Sequence, residues 1–311
     1  GSFSRLKPTV AIVTNIDAEH LDHHGSFENL ETAFENFITS IPFYGFAALC
    51  IDHPSVQKLL PAASDRRVIT YGLSANADVR AVNLRHEAGQ MLFDVQLSDR
   101  LEIAVDRLED VQFPMLGEHN VQNCLAAISI CLEMAIDPAV ILSGLRQFKG
   151  VGRRFDFKGE TDGITIIDDY GHHPVEIRAA LSAGRMRAEQ NKLIAVVQPH
   201  RYTRLRDLFS DFCACFNDAD HVIVSDVYAA GEAPIEGFER DDLVEGLRAW
   251  GHRSVHAMQD PSHLAAQIND LATSGDLVMC LGAGTVTQWA SSLPQELALL
   301  RSASPDKEAG E

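Results

Sequence analysis

Four short stretches place ionisable side chains where apolar runs end. "TIIDDYGHHP" (165–174) carries Asp168, Asp169, Tyr170, His172 and His173, and "QPHRYTR" (198–204) carries His200, Arg201 and Arg204. "VSDVYAAGE" (224–232) adds Asp226 and Tyr228, and "CLGAGT" (280–285) adds Gly282 and Gly284. Arginine presents a planar fork that suits carboxylate or phosphate. Histidine holds or releases a proton near neutral pH. One strand end loaded in this way is a weak signal, but four of them are hard to explain by folding alone.

Two further stretches have the same character. "DAEHLDHHG" (17–25) packs three histidines and three acids into nine residues. Such a set could bind a metal, and it reads equally as a solvated polar loop. "GEHNVQNCLAA" (117–127) sets Asn120 and Asn123 three apart, on one face of a first helical turn. Paired amides match the donor and acceptor edge of adenine, whereas helix capping would account for one Asn better than two. "GVGRRFD" (150–156) offers Arg153 and Arg154, for an anion or for an interdomain salt bridge. No Lys is followed by Ser or Thr, so a P-loop is absent, and both "GVGRRF" and "GAGTVT" lack the third glycine of a dinucleotide fingerprint.

The elements that must position these groups follow from hydrophobic period. "PTVAIVTNI", "FAALCI" and "RVITYG" read as buried strands, and Phe27, Leu30, Phe34, Phe37 and Ile41 recur at helical spacing. "DVRAVNLRHEAGQMLFDVQL" alternates about a Gly-containing turn, as a hairpin does, and "VQFPML" is a further strand. Val121, Leu125, Ile128 and Leu132 form the stripe of a helix over 119–134. Near residue 150 the composition turns to Gly and charge, which places a domain boundary there. Beyond it "GITIID", "LIAVVQ", "HVIVSD", "SVHAM" and "DLVMCLG" are separated by helix-length segments, the grammar of a parallel, doubly wound sheet. Ligands of such sheets sit at the carboxyl ends of the strands, where "DDYGHHP" falls. Pro174 suits a helix first turn, which also makes His173 a candidate cap. The second domain is expected over 151–295, with 296–311 a fraying tail.

The chain has 311 residues and a net charge of −18, which opposes nucleic-acid binding and an anionic membrane surface. No apolar run is long enough to span a bilayer, and no signal peptide is visible. The six cysteines form no CxxC pair and lie mostly in apolar runs, as reduced thiols of a cytoplasmic protein do. Cys213 and Cys215 read as helix packing or, alternatively, as a metal pair.

In order, "VTNIDAEHLDHHGSFENL", "FYGFAALCID", "GEHNVQNCLAA", "GVGRRFD", "IIDDYGHHPVEI", "QPHRYTR", "DVYAAGE" and "LGAGT" resemble the Mur ligases of bacterial cell-wall synthesis, in particular the branch that adds L-alanine. The resemblance runs nearly end to end. It implies an α/β chain: a truncated central ATPase domain over 1–150 (a mixed sheet with helices and a β-hairpin), then a Rossmann-like, doubly wound, amino-acid-binding C-terminal domain. It also implies that a UDP-sugar domain and a P-loop, present in complete members, are missing here, so this polypeptide alone is expected to be inactive. The family joins a carboxylate to an amine using ATP, and in the branch resembled here these are the lactyl carboxylate of UDP-N-acetylmuramate and L-alanine. The carboxylate attacks the γ-phosphate of ATP, giving an acyl phosphate and ADP; the amine then attacks the acyl carbon and phosphate leaves. That chemistry asks for positioning and charge neutralisation.

By match to the family motifs, His20 is the Mg2+ ligand, with Asp22 a weaker candidate behind it. Asn120 and Asn123 meet adenine, Arg154 the phosphates and Asp169 the ribose. Tyr170, His172, His173, Arg201 and Arg204 surround the substrates, and His200 and Arg201 are catalytic. A hinge is expected near Gly150 and Gly152. The implied partners are small molecules, without nucleic acid or membrane insertion, for a monomer or homodimer in the bacterial cytoplasm. Two alternatives stay open: a ligase that recycles murein peptide onto the same sugar, and a binding module that does not catalyse.

Overall fold

The structure is a computed structural model, and it describes residues 5–17, 24–103 and 105–302. The chain divides into two compact units, 1–148 and 149–311. Each is an α/β unit built on a six-stranded mixed sheet.

In the first unit the sheet runs β1 (Val10–Val13), β2 (Phe46–Cys50), β3 (Arg67–Gly72), β4 (Val79–Glu87), β5 (Gln90–Leu97) and β6 (Arg107–Phe113), in that order. Neighbours are parallel up to β4 and antiparallel from there on. β2 is buried along its whole length, as a central parallel strand with an unbroken apolar run must be. The β4–β5 hairpin closes through Ala88 and Gly89, both at positive φ, the twist that a two-residue turn requires. Helix α1 (Phe27–Thr39) starts at Ser26, whose Oγ accepts from the Asn29 N–H, and buries Leu30 and Ile38. After the short α2 (Pro54–Gln57), helix α3 (Glu118–Glu133) lays Val121, Leu125, Ile128 and Leu132 against β2, β3 and β4. Each such buried aliphatic side chain contributes about 1.5–3 kcal/mol. Helix α4 (Pro138–Arg146), capped by Asp137, packs on β6.

The second unit opens with an antiparallel hairpin, β7 (Asp156–Thr161) and β8 (Ile164–Asp169), turning on Asp162 and Gly163 at positive φ. Sequence reading treats this Gly- and charge-rich stretch as a boundary and finds only β8. β7 is legible to it poorly because an edge strand has no continuous apolar run. Helix α5 (Pro174–Ala188) follows, then β9 (Leu193–Val197), α6 (Tyr202–Asp207), α7 (Phe209–Ala214), β10 (His221–Val224), α8 (Arg240–Ala249), β11 (Val255–Ala257), α9 (Leu264–Leu271), β12 (Leu277–Leu281) and α10 (Val286–Ser302). The sheet order is β11-β10-β9-β12-β8-β7, with all pairs parallel except β7–β8. β12, last in sequence, inserts between β8 and β9, and apolar clusters cover both faces of the sheet.

The expected tail does not fray at its start: α10 continues through Pro294 and past residue 295 to Ser302. Leu293 and Leu297 are buried, and the Pro294 carbonyl accepts from Thr161 Oγ1 at 2.8 Å. Packing against β7 outweighs the helix hydrogen bond that Pro294 removes. Cys213 and Cys215 are both buried and unpaired. No described helix is long and apolar enough to cross a membrane.

Candidate functional site

The strand order explains why the four loaded stretches meet. Leu281 of β12 pairs with Asp169 of β8 on one side and Val197 of β9 on the other, and Val197 pairs with Val224 of β10. The carboxyl ends of β10, β9, β12 and β8 therefore stand side by side.

At the end of β8 the two aspartates part company. Asp168 is fully buried; its Oδ2 accepts from Thr287 Oγ1 at 2.6 Å and lies 3.6 Å from both Arg153 Nε and Lys158 Nζ. Asp169 is also buried, and its two oxygens accept the backbone N–H groups of Gly171 and Phe155, each at 2.8 Å. Burial pushes its carboxyl group up, against the pull of those amides and of Arg154. The Tyr170 N–H donates to the Arg153 carbonyl, and the Arg153 and Arg154 guanidiniums lie 4.7 and 5.6 Å from the Tyr170 ring centre. Arg153 Nη2 also donates to the Gly282 carbonyl at 2.8 Å, fastening β8 to the end of β12. Arg154 is the more exposed of the two, with Glu176 at 3.6 Å.

His172 and His173 differ in use. His172 Nδ1 lies 3.1 Å from the Tyr170 carbonyl and 3.3 Å from Glu176, whose carboxylate is held below its usual range by the His172 N–H, then by His172 itself and Arg154, despite burial. His173 is the N-cap of α5. Its Nδ1 accepts from the Val175 N–H at 3.4 Å, Glu176 closes the box by accepting from the His173 N–H, and its Nε2 is buried without a partner.

From β9 the chain enters the site with Gln198, His200, Arg201 and Arg204. A row of rings crosses three strand ends: Tyr170 to His172 at 5.2 Å, His172 to His200 at 5.7 Å, and His200 stacked on Tyr228 at 5.3 Å. Burial first, then Arg204, His172 and Arg201, pulls His200 down to about 4, so it is neutral at pH 7. Arg204 Nη1 lies 3.3 Å from His200 Nδ1. Arg201 adopts φ 71, and its N–H donates to the Tyr228 carbonyl at 2.9 Å. Gln198 is buried and accepts from the Val286 N–H at the start of α10. Gly284 is obligatory there: a Cβ would lie 2.4 Å from Gln198 Oε1 and 2.7 Å from Tyr228 Cγ. The "GAGT" turn thus makes room for Tyr228 and seats α10 on Gln198.

Arg154, Asp169, Tyr170, His172, His173, His200, Arg201 and Arg204 all lie at this one edge of the second unit. Asn120 and Asn123 belong to the first unit. Asn120 is buried, with Nδ2 donating to the Leu116 carbonyl at 2.8 Å, while Asn123 is exposed. Between them Gln122 donates to Asp52, which also accepts from the Leu73 N–H and from the N–H and hydroxyl of Ser74. Asp52 thereby ties the ends of β2 and β3 to α3, and its carboxyl is held below the usual range by these bonds despite burial. His20 and Asp22 lie outside the described residues. Beside them in sequence, Asp17 Oδ1 is 3.3 Å from His53 Nε2, and His53 Nδ1 is buried without a partner. Among the described residues no group of three His, Cys, Asp or Glu is placed to hold a metal ion. Sequence reasoning flagged Arg153 as an anion or salt-bridge candidate and Tyr228 as a loaded strand end without giving either a specific role, and it gave none to Gln198 or Glu232, for which no sequence signal existed.

The two α/β units, the second with arginine and histidine side chains gathered at its strand ends, match the domains of one known family. The Mur ligase middle domain matches residues 1–131 and the Mur ligase glutamate ligase domain matches residues 153–284, so the chain belongs to the Mur ligase family. It is 55% identical over 304 residues to the UDP-N-acetylmuramate–L-alanine ligase of Granulibacter bethesdensis, covering 98% of this chain and 63% of that protein. It is 56% identical over 300 residues to the enzyme of the same name from Gluconobacter oxydans, covering 96% and 63%. The chain therefore spans somewhat less than two thirds of the length of these curated relatives. Among solved structures, the UDP-N-acetylmuramate–alanine ligase MurC of Thermotoga maritima superposes with a TM-score of 0.75 at 22% identity, over 97% of this chain and 61% of that one. MurF of Thermotoga maritima in complex with ADP gives 0.72 at 18% identity, over 94% and 63%. These two likenesses concern the fold.

Proposed function

We propose that the chain is the amino-acid-handling domain and part of the ATP-binding domain of a UDP-N-acetylmuramate–L-alanine ligase. The observation that carries this is the identity of about 55%, over nearly the whole chain, to relatives of that name. The edge described above supports it, because its side chains suit an amino acid and anionic oxygens. Arg201 and Arg204 hold the alanine carboxylate. Tyr170 and His172 flank that carboxylate. His200 is neutral at pH 7; the Arg204 N–H facing its Nδ1 can only donate, so Nδ1 accepts and the Nε2–H is left to donate to an anionic oxygen of the reaction. Arg154 meets the phosphates and Asp169 the ribose. Asp169 has both oxygens on backbone amides, so it would accept a hydroxyl with a remaining lone pair. Asn120 and Asn123 serve adenine, Asn120 only after leaving Leu116.

Magnesium would supply charge neutralisation at the phosphates. His20 is its expected ligand, and the described residues around Asp17 and His53 do not by themselves make a ligand set.

The test is ADP release by the product of the complete reading frame, with UDP-N-acetylmuramate present and one amine at a time. Turnover should need L-alanine. Turnover with a murein tripeptide and none with L-alanine would replace this reading with the recycling ligase. A reading frame without a P-loop, binding nucleotide but releasing no ADP, would replace it with a binding module.

A further inference from the structure

Arg201 sits at φ 71 and ψ 132, a region that L-residues with a Cβ avoid. Such a conformation persists only where the surroundings over-determine it. Here the Leu205 N–H of its own helix holds the Arg201 carbonyl, and the long-range partners come from the segment after β10. The Arg201 N–H donates to the Tyr228 carbonyl at 2.9 Å, and His200 and Tyr228 form a one-residue parallel bridge. Glu232 then grips the turn from the other side. Its Oε2 accepts from the Thr203 N–H at 3.0 Å, its Oε1 accepts from Thr203 Oγ1 at 2.7 Å, and Oε1 lies 3.9 Å from Arg201 Nη1. The Glu232 side chain is 21% exposed and that of Arg201 45%, so the acid is the fixed partner and the guanidinium the presented one.

We propose that Glu232 is a positioning residue: it locks the strained turn at Arg201 and aims that guanidinium at the carboxylate of the incoming amino acid. A carboxylate is needed because each oxygen already accepts from Thr203 while Arg201 pairs with the charge, and an amide would turn an NH2 toward one of those donors. The lowered pKa of Glu232, which the Thr203 bonds and Arg201 produce against burial, keeps it ionised through the physiological range. The inference rests on the alanine-site reading for its catalytic consequence, though not for its structural part.

Two experiments test it. In the complete enzyme, Glu232→Ala should raise the L-alanine KM about tenfold and leave the ATP KM within twofold. In an Arg201→Ala background the same change should add less than twofold, because its route of action is already gone. An equal loss in that background, or an ATP KM that moves in step, overturns the proposal. The second experiment is a crystal structure of the 311-residue chain carrying Glu232→Ala, or Glu232→Gln if the alanine variant does not fold. Arg201 should relax to negative φ, and a φ still near its present value overturns the proposal whatever the enzyme's substrate. If the unmutated complete enzyme releases no ADP with L-alanine, the functional reading fails while the crystal structure still decides the role of Glu232.

Discussion

The second sheet carries three histidines at each pole, and the two groups are built on opposite plans. At the amino ends of β10 and β11, Ser254 Oγ lies between His221 Nδ1 at 2.7 Å and His256 Nε2 at 2.9 Å. His252 joins them, with Nε2 3.0 Å from the Ala219 carbonyl and Nδ1 accepting from the Ser254 N–H. These bonds fasten the short edge strand β11 to β10. At the carboxyl ends, His172 and His200 stand in a row of rings beside Arg154 and Arg201, both nearly half exposed, with Arg201 itself and the neighbouring Arg153 held at positive φ. Histidine count does not separate the two poles. The separating features are strain, presented cations and a glycine that yields space to an aromatic ring, as structures do where a ligand must be met.

The comparison breaks most visibly through arginine. Arg201→Ala in the complete enzyme should lower kcat/KM for L-alanine about 30- to 1000-fold, the loss of roughly 2–4 kcal/mol expected of a charge-assisted anchor. Its urea midpoint should stay close to the parent's, since Ala keeps the Cβ and so the same backbone strain, and only a half-exposed side chain is lost. Ser254→Ala should do the reverse, leaving turnover within twofold and costing about 1–2 kcal/mol of stability for the hydroxyl that two imidazoles share. If Ser254→Ala silenced the enzyme and Arg201→Ala unfolded it, the assignment of poles would be inverted.

The pH response sharpens the same contrast. His221 is held below the ordinary histidine value of 6.5, first by burial, then by Lys192 and His256, with Asp220 and Asp276 opposing. His256 is lowered by burial and by Arg248. Both rings bind protons less readily folded than unfolded, so their contribution is present above about 6.5 and is lost as pH falls below it. Urea midpoints should therefore drop between pH 7.5 and 5.5, and His221→Gln with His256→Gln should flatten part of that drop. His200 acts in the same direction, down to about 4, so the double variant keeps a residual slope. An unchanged slope would show that the amino-pole rings do not resist protonation.

Much of this frame was legible from sequence. Apolar runs gave β1, β2, β3 and the five parallel strands of the second unit. Pro174 marked the start of α5, and Gly89 the β4–β5 turn. The loaded strand ends were legible too, because polar residues directly after a buried run have few structural reasons to be there. What sequence could not give was the strand order. The stack of His200 on Tyr228 requires β10 beside β9, and hydrophobic period names strands without ordering them. The grips of Glu232 on Thr203, and of Gln122 on Asp52 across 70 positions, depend on that order as well. α10 passed beyond its expected end because the partner that offsets Pro294 is β7, itself hidden among glycines and charges.

The smallest predicted effect concerns His173, which the family motif places among the substrate residues and the geometry places at a helix cap. An N-cap is worth about 1 kcal/mol, so His173→Ala should cost about that much in urea unfolding. His173→Asn restores a short acceptor at the same point and removes the orphaned Nε2, at the expense of some packing volume. These terms nearly offset, and stability should stay within about 0.5 kcal/mol of the parent. If the ring only caps, both variants of the complete enzyme keep the L-alanine KM within twofold. A tenfold rise with His173→Asn, at unchanged stability, would mean that Nε2 meets the substrate and that the row of functional rings runs through His173 as well as His172.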